Sequence, residues 1–242
     1  MHDHYPVTIP ATLFMNIISF DHVSKTYSRG ESAIEDINLA IAENEFLTIV
    51  GQSGAGKSTL LKLIIAEERP TTGKVVVDKI DVGKMKPQHL PVLRRKIGMI
   101  FQDFKLIASK TVFENISFAM EVAGKSTADI NRDVPQILKL IGLTAKARHF
   151  PSELSGGEKQ RVAIGRALAH KPNILMADEP TGNLDPLNTW DVINLLVKIN
   201  EIGTTVILAT HDREIINTLS KRMVRLDKGR IVQDEKEGKF II

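Results

Sequence analysis

The nine residues Gly51-Gln52-Ser53-Gly54-Ala55-Gly56-Lys57-Ser58-Thr59 constrain this chain more than any other stretch. They have the form G-x-x-x-x-G-K-[ST] of a phosphate-binding loop. The flanks fit that reading. Phe46-Leu47-Thr48-Ile49-Val50 enters as an apolar strand, and Leu60-Leu61-Lys62-Leu63-Ile64-Ile65 leaves as a helix. Glycines let the backbone turn tightly enough for several N–H groups to face one anion. The helix start adds its positive dipole end. Lys57 is placed to reach the β- and γ-phosphates of a nucleotide, and the Ser58 hydroxyl to ligate Mg²⁺. The glycine spacing is not the G-x-G-x-x-G of a dinucleotide fold.

The 242 residues suffice for one large domain or two small lobes. Lys and Arg number 32 against 29 Asp and Glu, a small excess with no dense basic block, so no nucleic-acid groove is expected. The absence of cysteine excludes disulfides and thiolate metal sites and is compatible with the cytoplasm. No apolar run approaches the roughly 18–20 residues of a membrane span, and the N-terminus lacks a signal-peptide pattern. Any attachment to a membrane is therefore expected to run through a partner.

Residues 1–14 mix His2, His4, Pro6 and Pro10 without periodicity and read as a disordered extension rather than a metal site. Order is expected from Met15. Ile18–Val23 alternates as a strand, 33–49 reads as further strands with a turn at Glu43-Asn44, and Lys74–Asp78 and Ile97–Gln102 read as two more. From about 103 to 170 the spacing of Phe113, Ile116 and Met120, and of Ile137, Leu140 and Ile141, predicts helices, with Pro135 at a start or kink. Strands return at Ile174–Ala177 and Thr205–Ala209. Between them Val192, Leu195, Leu196, Ile199 and Ile202 share a helix face; a helix over Arg213–Leu219 and a hairpin turning at Lys228-Gly229 follow. This order predicts an α/β fold: a P-loop NTPase core over 15–102 and 171–242, with an N-terminal antiparallel β portion and an inserted helical lobe over about 103–170.

A P-loop is shared by GTPases, kinases, helicases and transporters; two further motifs narrow the class. Leu154-Ser155-Gly156-Gly157-Glu158 opens a helix, so it is either a second anion site or a plain N-terminal cap paired with Glu158. Ile174-Leu175-Met176-Ala177-Asp178-Glu179-Pro180 is an apolar strand ending in two carboxylates. Alternation along a strand would turn one toward Mg²⁺ and the other toward an attacking water. The next strand ends at Thr210-His211-Asp212, at the carboxyl edge where α/β sheets hold ligands.

In this order the motifs resemble the nucleotide-binding subunit of ATP-binding-cassette (ABC) systems, over about Met15 to Val232. The resemblance implies a Mg²⁺-dependent ATPase. Tyr27 would stack on adenine, and Gly51 through Thr59 would cradle the phosphates. Gln102 would sense Mg²⁺, with Ser58 and Asp178 as the other metal-side groups. Glu179 would be the general base, and His211 would contact the γ-phosphate beside Lys57. Ser155, Gly156 and Gly157 would form the signature loop, and Asn183, Leu184 and Asp185 the segment at the dimer interface. It also implies a head-to-tail homodimer, in which the signature of one chain closes the phosphate site of the other.

Leu93-Arg94-Arg95-Lys96-Ile97-Gly98-Met99-Ile100-Phe101-Gln102-Asp103-Phe104, Thr111–Asn115 and Ala177–Asp185 are similar to the FtsE branch of the family, the ATPases of bacterial cell division. That likeness implies an integral membrane partner of the FtsX type, a peripheral place on the inner face of the membrane, and control of cell-wall hydrolysis. Subunits for lipoprotein release and macrolide export share the Asp178–Asp185 stretch and are the alternative. A soluble cassette acting on DNA or ribosomes would carry long heptads or a second cassette; this chain has neither. Phe104, Leu106, Ile107 and Phe113, just past Gln102, are the candidate docking surface for the membrane partner.

Overall fold

The computed structural model describes residues 16–27 and 30–238; the extension over 1–14 lies outside them. Two sheets stack. The first, in the order β2-β1-β4-β5, is antiparallel and comprises β1 (Asn16–Thr26), β2 (Ser32–Ala42), β4 (Thr72–Val77) and β5 (Ile80–Asp81). The second has the order β10-β9-β3-β8-β7-β6: β3 (Phe46–Val50), β6 (Ile97–Ile100), β7 (Ile174–Asp178), β8 (Thr205–Thr210), β9 (Arg222–Asp227) and β10 (Arg230–Glu235). Its strands are parallel except β10, which returns along β9.

Parallel strands covered on both faces read as continuous apolar runs. β3 and β8 are buried at every position. Period-2 alternation divides them between two cores. Leu47, Ile49, Ile174 and Met176 pack toward the antiparallel sheet and α1 (Lys57–Ile64). Phe46, Leu175, Ala177, Val206 and Leu208 pack toward the helices on the other side. Those helices are α3 (Val112–Val122), α4 (Thr127–Leu140), α5 (Gly156–Leu168) and α6 (Pro186–Glu201); α2 (Leu90–Arg94) precedes β6 and α7 (Arg213–Leu219) follows β8.

Two local expectations are corrected. Residues 103–111 are not helical: β6 stops at Ile100 and an irregular loop runs to Thr111, whose side chain caps α3 by accepting from Glu114 N. Pro135 does not start its helix. Ser126 caps α4 nine residues earlier, and buried Ile130, Val134 and Leu138 hold the helix down, leaving Pro135 on the solvent face.

The order β3-β8-β7 decides where the site lies. Val50 pairs with Thr210, and Asp178 with Ala209, so the carboxyl ends of three strands finish side by side.

Candidate functional site

Beyond those strand ends is a cavity of about 1130 Å³ lined by Gly51 through Thr59, Gln102, Asp178, Glu179, Asn183 and His211, among others. The loop follows β3 directly. Gly56 caps α1 at φ +106, in the left-handed region. A Cβ there would stand 2.7 Å from Ala33 O and 2.8 Å from Ile34 Cγ2, so both conformation and space demand glycine. No side chain caps α1 and no acidic residue occupies its first turn, which leaves the N–H groups and the dipole open to an anion.

Lys57 is 7 % exposed. Its Nζ donates to Gly51 O at 2.7 Å and Gln52 O at 3.3 Å, and stands 3.3 Å from Glu179 Oε1. A buried ammonium requires such partners. His211 Nδ1 lies 2.9 Å from both oxygens of Glu179, so this carboxylate joins the P-loop lysine to the histidine at the end of β8.

The alternation expected for Asp178 and Glu179 is not kept. β7 ends at Asp178, and Glu179 sits at φ +48. Left-handed backbone is uncommon for a residue with a Cβ. It breaks the extended period, so both carboxylates open on the same cavity. Asp178 Oδ1 is buried without a hydrogen-bond partner among the described residues. A buried carboxylate oxygen left unsatisfied is costly unless something binds it. That orphan fits a Mg²⁺ ion, which takes one or two carboxylates and completes its shell with water and substrate phosphates. No cluster of three His, Cys, Asp or Glu is present among the described residues to hold a metal by itself.

Gln102 faces Gly182, where a Cβ would come 2.8 Å from Gln102 Nε2. Asn183 Nδ2 donates to Gln102 O at 3.4 Å. Asp185 caps α6, accepting from Asn188 N at 3.1 Å. Tyr27 does not line the cavity but touches its loop: its hydroxyl is 3.4 Å from Thr59 Oγ1, and Lys25 Nζ lies 5.1 Å from its ring centroid.

Ser155, Gly156 and Gly157 do not line this cavity. The capping reading of this motif is realised: Ser155 Oγ accepts from Glu158 N, and the Glu158 carboxylate accepts from Ser155 N at 2.9 Å. Lys146 pairs with Glu158 at 2.5 Å and, with the Ser155 N–H, holds its carboxyl below the ordinary carboxylate value. Gly157 lies against α6, where a Cβ would fall 1.9 Å from Asn188 Oδ1.

Sequence reasoning missed Arg213 and Arg225, two cavity-lining cations. Arg213 carried one signal, its place two residues after His211 at a strand end; Arg225 lies within β9 and carried none.

Residues 34–182 match the ABC transporter family. The cell division ATP-binding protein FtsE of Mycobacterium tuberculosis is 50% identical over 225 residues, 93% of this chain and 98% of that protein. FtsE of Bacillus subtilis is 47% identical over 93% of this chain and 98% of its own length. Among solved structures, the dimeric post-hydrolysis state of the ATP-binding cassette MJ0796 bound to ADP and Pi superposes with a TM-score of 0.80, at 37% identity, over 92% of this chain and all of that one. CbiO1 of Clostridium perfringens, part of the cbiONQ transporter complex, has a TM-score of 0.86 at 30% identity, covering 92% of this chain and 89% of that one.

Proposed function

This chain belongs to the ABC transporter family, and we propose that its ATPase cycle, run by a head-to-tail dimer, drives an FtsX-like membrane protein that controls cell-wall hydrolysis in bacterial division. It is an ATPase of the ABC type, and its FtsE relatives tie it to cell division. The observation that carries the reading is the convergence of Lys57, Asp178, Glu179 and His211 on one cavity beside an uncapped helix start.

The N–H groups of the loop and Lys57 Nζ take the β- and γ-phosphates, so Lys57 exchanges its contact with Glu179 for phosphate oxygens. The released Glu179 carboxylate accepts a proton from the attacking water. The water oxygen bonds to the γ-phosphorus as the bond to the bridging oxygen breaks and ADP leaves. His211, hydrogen-bonded to Glu179, orients that carboxylate and contacts the γ-phosphate. Ser58, Asp178 and Gln102 would hold Mg²⁺, which supplies charge neutralisation for the phosphates.

Ser155 starts a helix outside the cavity of its own chain. A second copy docked head to tail would bring that helix start onto the triphosphate. MJ0796, dimeric with ADP and Pi, supports this arrangement. No helix among the described residues is long and apolar enough to cross a membrane; on this reading the FtsX-like partner supplies the link to the envelope, and the chain works peripherally on the inner face.

The test is steady-state ATP hydrolysis of the purified chain, alone and with a co-expressed FtsX-like protein. Mg²⁺-dependent turnover that changes with the partner is expected. Unchanged turnover and no co-purification would refute the division role and favour lipoprotein release or macrolide export.

A further inference from the structure

The loop from Phe101 to Thr111 joins the cavity to the helices and is gripped at three places by polar side chains. Gln160, fully buried in α5, aims Nε2 at Phe101 O, 3.5 Å away. Arg166, also on α5, donates through Nη2 to Phe104 O at 2.9 Å and through Nη1 to Lys105 O. Asn115, fully buried in α3, accepts from Ile107 N at 2.9 Å and donates to Ile107 O, Lys110 O and Thr111 O.

The middle grip is the unusual one. Phe104 and Lys105 both adopt left-handed backbone, at φ +55 and +49. Two consecutive residues with a Cβ in that region constitute strain, which persists only where surroundings impose it. Arg166 makes no ion pair with a carboxylate among the described residues; its guanidinium goes to the carbonyls of the two strained residues. Desolvating a guanidinium without a counter-charge is costly, which argues that the turn it fixes has a use. Gln102 lies between the Gln160 and Arg166 grips and lines the cavity.

We propose that Arg166 is a positioning residue for ATP hydrolysis: it holds the Phe104–Lys105 turn left-handed, and that turn presents Gln102 to the cavity. Arg166 also stands on the helix that opens at Ser155, so the loop and that helix shift together. The inference rests on reading the cavity as an ATPase site.

The experiment compares kcat, KM for ATP, ADP affinity and melting temperature in the full chain and in Arg166→Met, Arg166→Lys and Arg166→Met combined with Lys105→Gly. Displacing a group at a reacting centre by about 1 Å costs on the order of 10²-fold in rate. Arg166→Met should therefore lose between about 10- and 100-fold in kcat, with KM and ADP affinity within about threefold, since the P-loop is untouched. Arg166→Lys, able to hold one carbonyl, should fall between. Glycine at 105 keeps the left-handed turn without the grip and should recover several-fold of the lost kcat. Unchanged kcat in Arg166→Met, or a loss of kcat that glycine does not restore, overturns the proposal. Should Arg166→Met not fold, Arg166→Lys with and without Lys105→Gly decides by the same criteria. An inert wild-type chain is a different failure: it overturns the ATPase reading of the cavity and the proposal with it.

Discussion

Lys57 Nζ stands 3.3 Å from Glu179 Oε1, with the two side chains 8% and 18% exposed, so the proposed phosphate-binding cation and the candidate base hold each other. A phosphate reaching Lys57 must displace that carboxylate. On the proposed roles, nucleotide binding and release of the base are one event.

Glu179→Gln keeps the size and hydrogen bonding of the side chain and removes its charge and basicity. Turnover should fall by about 10²–10⁴-fold, the contribution of a positioned general base. ADP should bind at least as tightly as to the wild type, because Lys57 no longer has an anionic competitor. Lys57→Ala should instead weaken binding of both nucleotides. Steady-state hydrolysis with titration of a fluorescent ADP checks both; full turnover in Glu179→Gln removes Glu179 from the role of base.

Tyr27 touches the P-loop through its hydroxyl, 3.4 Å from Thr59 Oγ1, while Lys25 Nζ stands 5.1 Å from its ring centroid. Base stacking on an aromatic face is worth about 1–3 kcal/mol. Tyr27→Ala should raise the dissociation constant for ATP by roughly one to two orders of magnitude. Tyr27→Phe keeps the ring and should bind nearly as well. A lowered melting temperature with unchanged affinity in Tyr27→Ala would mark a packing residue.

The P-loop, the paired carboxylates and the histidine were legible because their chemistry fixes residue type and spacing at strand ends. Glu179's left-handed backbone was not, since glutamate carries no sequence mark for φ +48. Arg166 and Asn115 were invisible for a related reason: each sits in a helix and acts on a carbonyl at 104 or beyond, a contact only the tertiary fold creates. The helical spacing around Phe113 was extended too far back because the Thr111 cap, not the first apolar residue, sets the helix start.

Gly157 reports on packing between α5 and α6. A Cβ there would stand 1.9 Å from Asn188 Oδ1, and Asn188 Nδ2 donates to Asp185 Oδ2 at 2.5 Å. Gly157→Ala must push the Asn188 side chain aside, break its bond to Asp185 and loosen the α6 cap that Asp185 makes. Loss of a cap costs about 1 kcal/mol, or a melting temperature about 2–4 °C lower in a chain of this size. ATP-dependent dimerisation, read by light scattering, should weaken too, because Asp185 and Ser155 both belong to the predicted interface. Ser155→Arg should abolish that dimer while leaving ADP binding intact. A dimer unaffected by ATP or by either substitution would contradict the head-to-tail arrangement.

The Glu158 carboxyl is held below its ordinary 4.5 by Lys146 first and by the Ser155 N–H next. A depressed folded value means the fold favours the ionised form. Its stabilisation is complete above about pH 4.5 and is lost as pH falls through the folded value. Glutamine keeps the capping geometry, so Glu158→Gln isolates the charge. Its melting temperature should lie below the wild type's at pH 7, and the gap should close as pH drops below 4.5. A gap independent of pH would show that the charge contributes nothing.

The proposed membrane partner would dock near Gln102, and burial sorts the candidate positions there. Phe104, Leu106, Ile107 and Phe113 are all half-buried. Leu106 and Phe113 pack against the helical core, while the Phe104 carbonyl is held by Arg166. Phe104 and Ile107 are both held only through their backbones and have partly covered side chains; Ile107, farther along the loop from Gln102, is the position changed first. An apolar helix from the partner would bury such a residue in a groove. Ile107→Asp should therefore lose co-purification with an FtsX-like protein while basal ATP hydrolysis survives. Leu106→Asp should destabilise the chain itself, since it places a charge against the core. If Ile107→Asp still binds the partner, the docking surface lies elsewhere, and exposed Phe118 and Val122, one turn apart on α3, are the next positions to change.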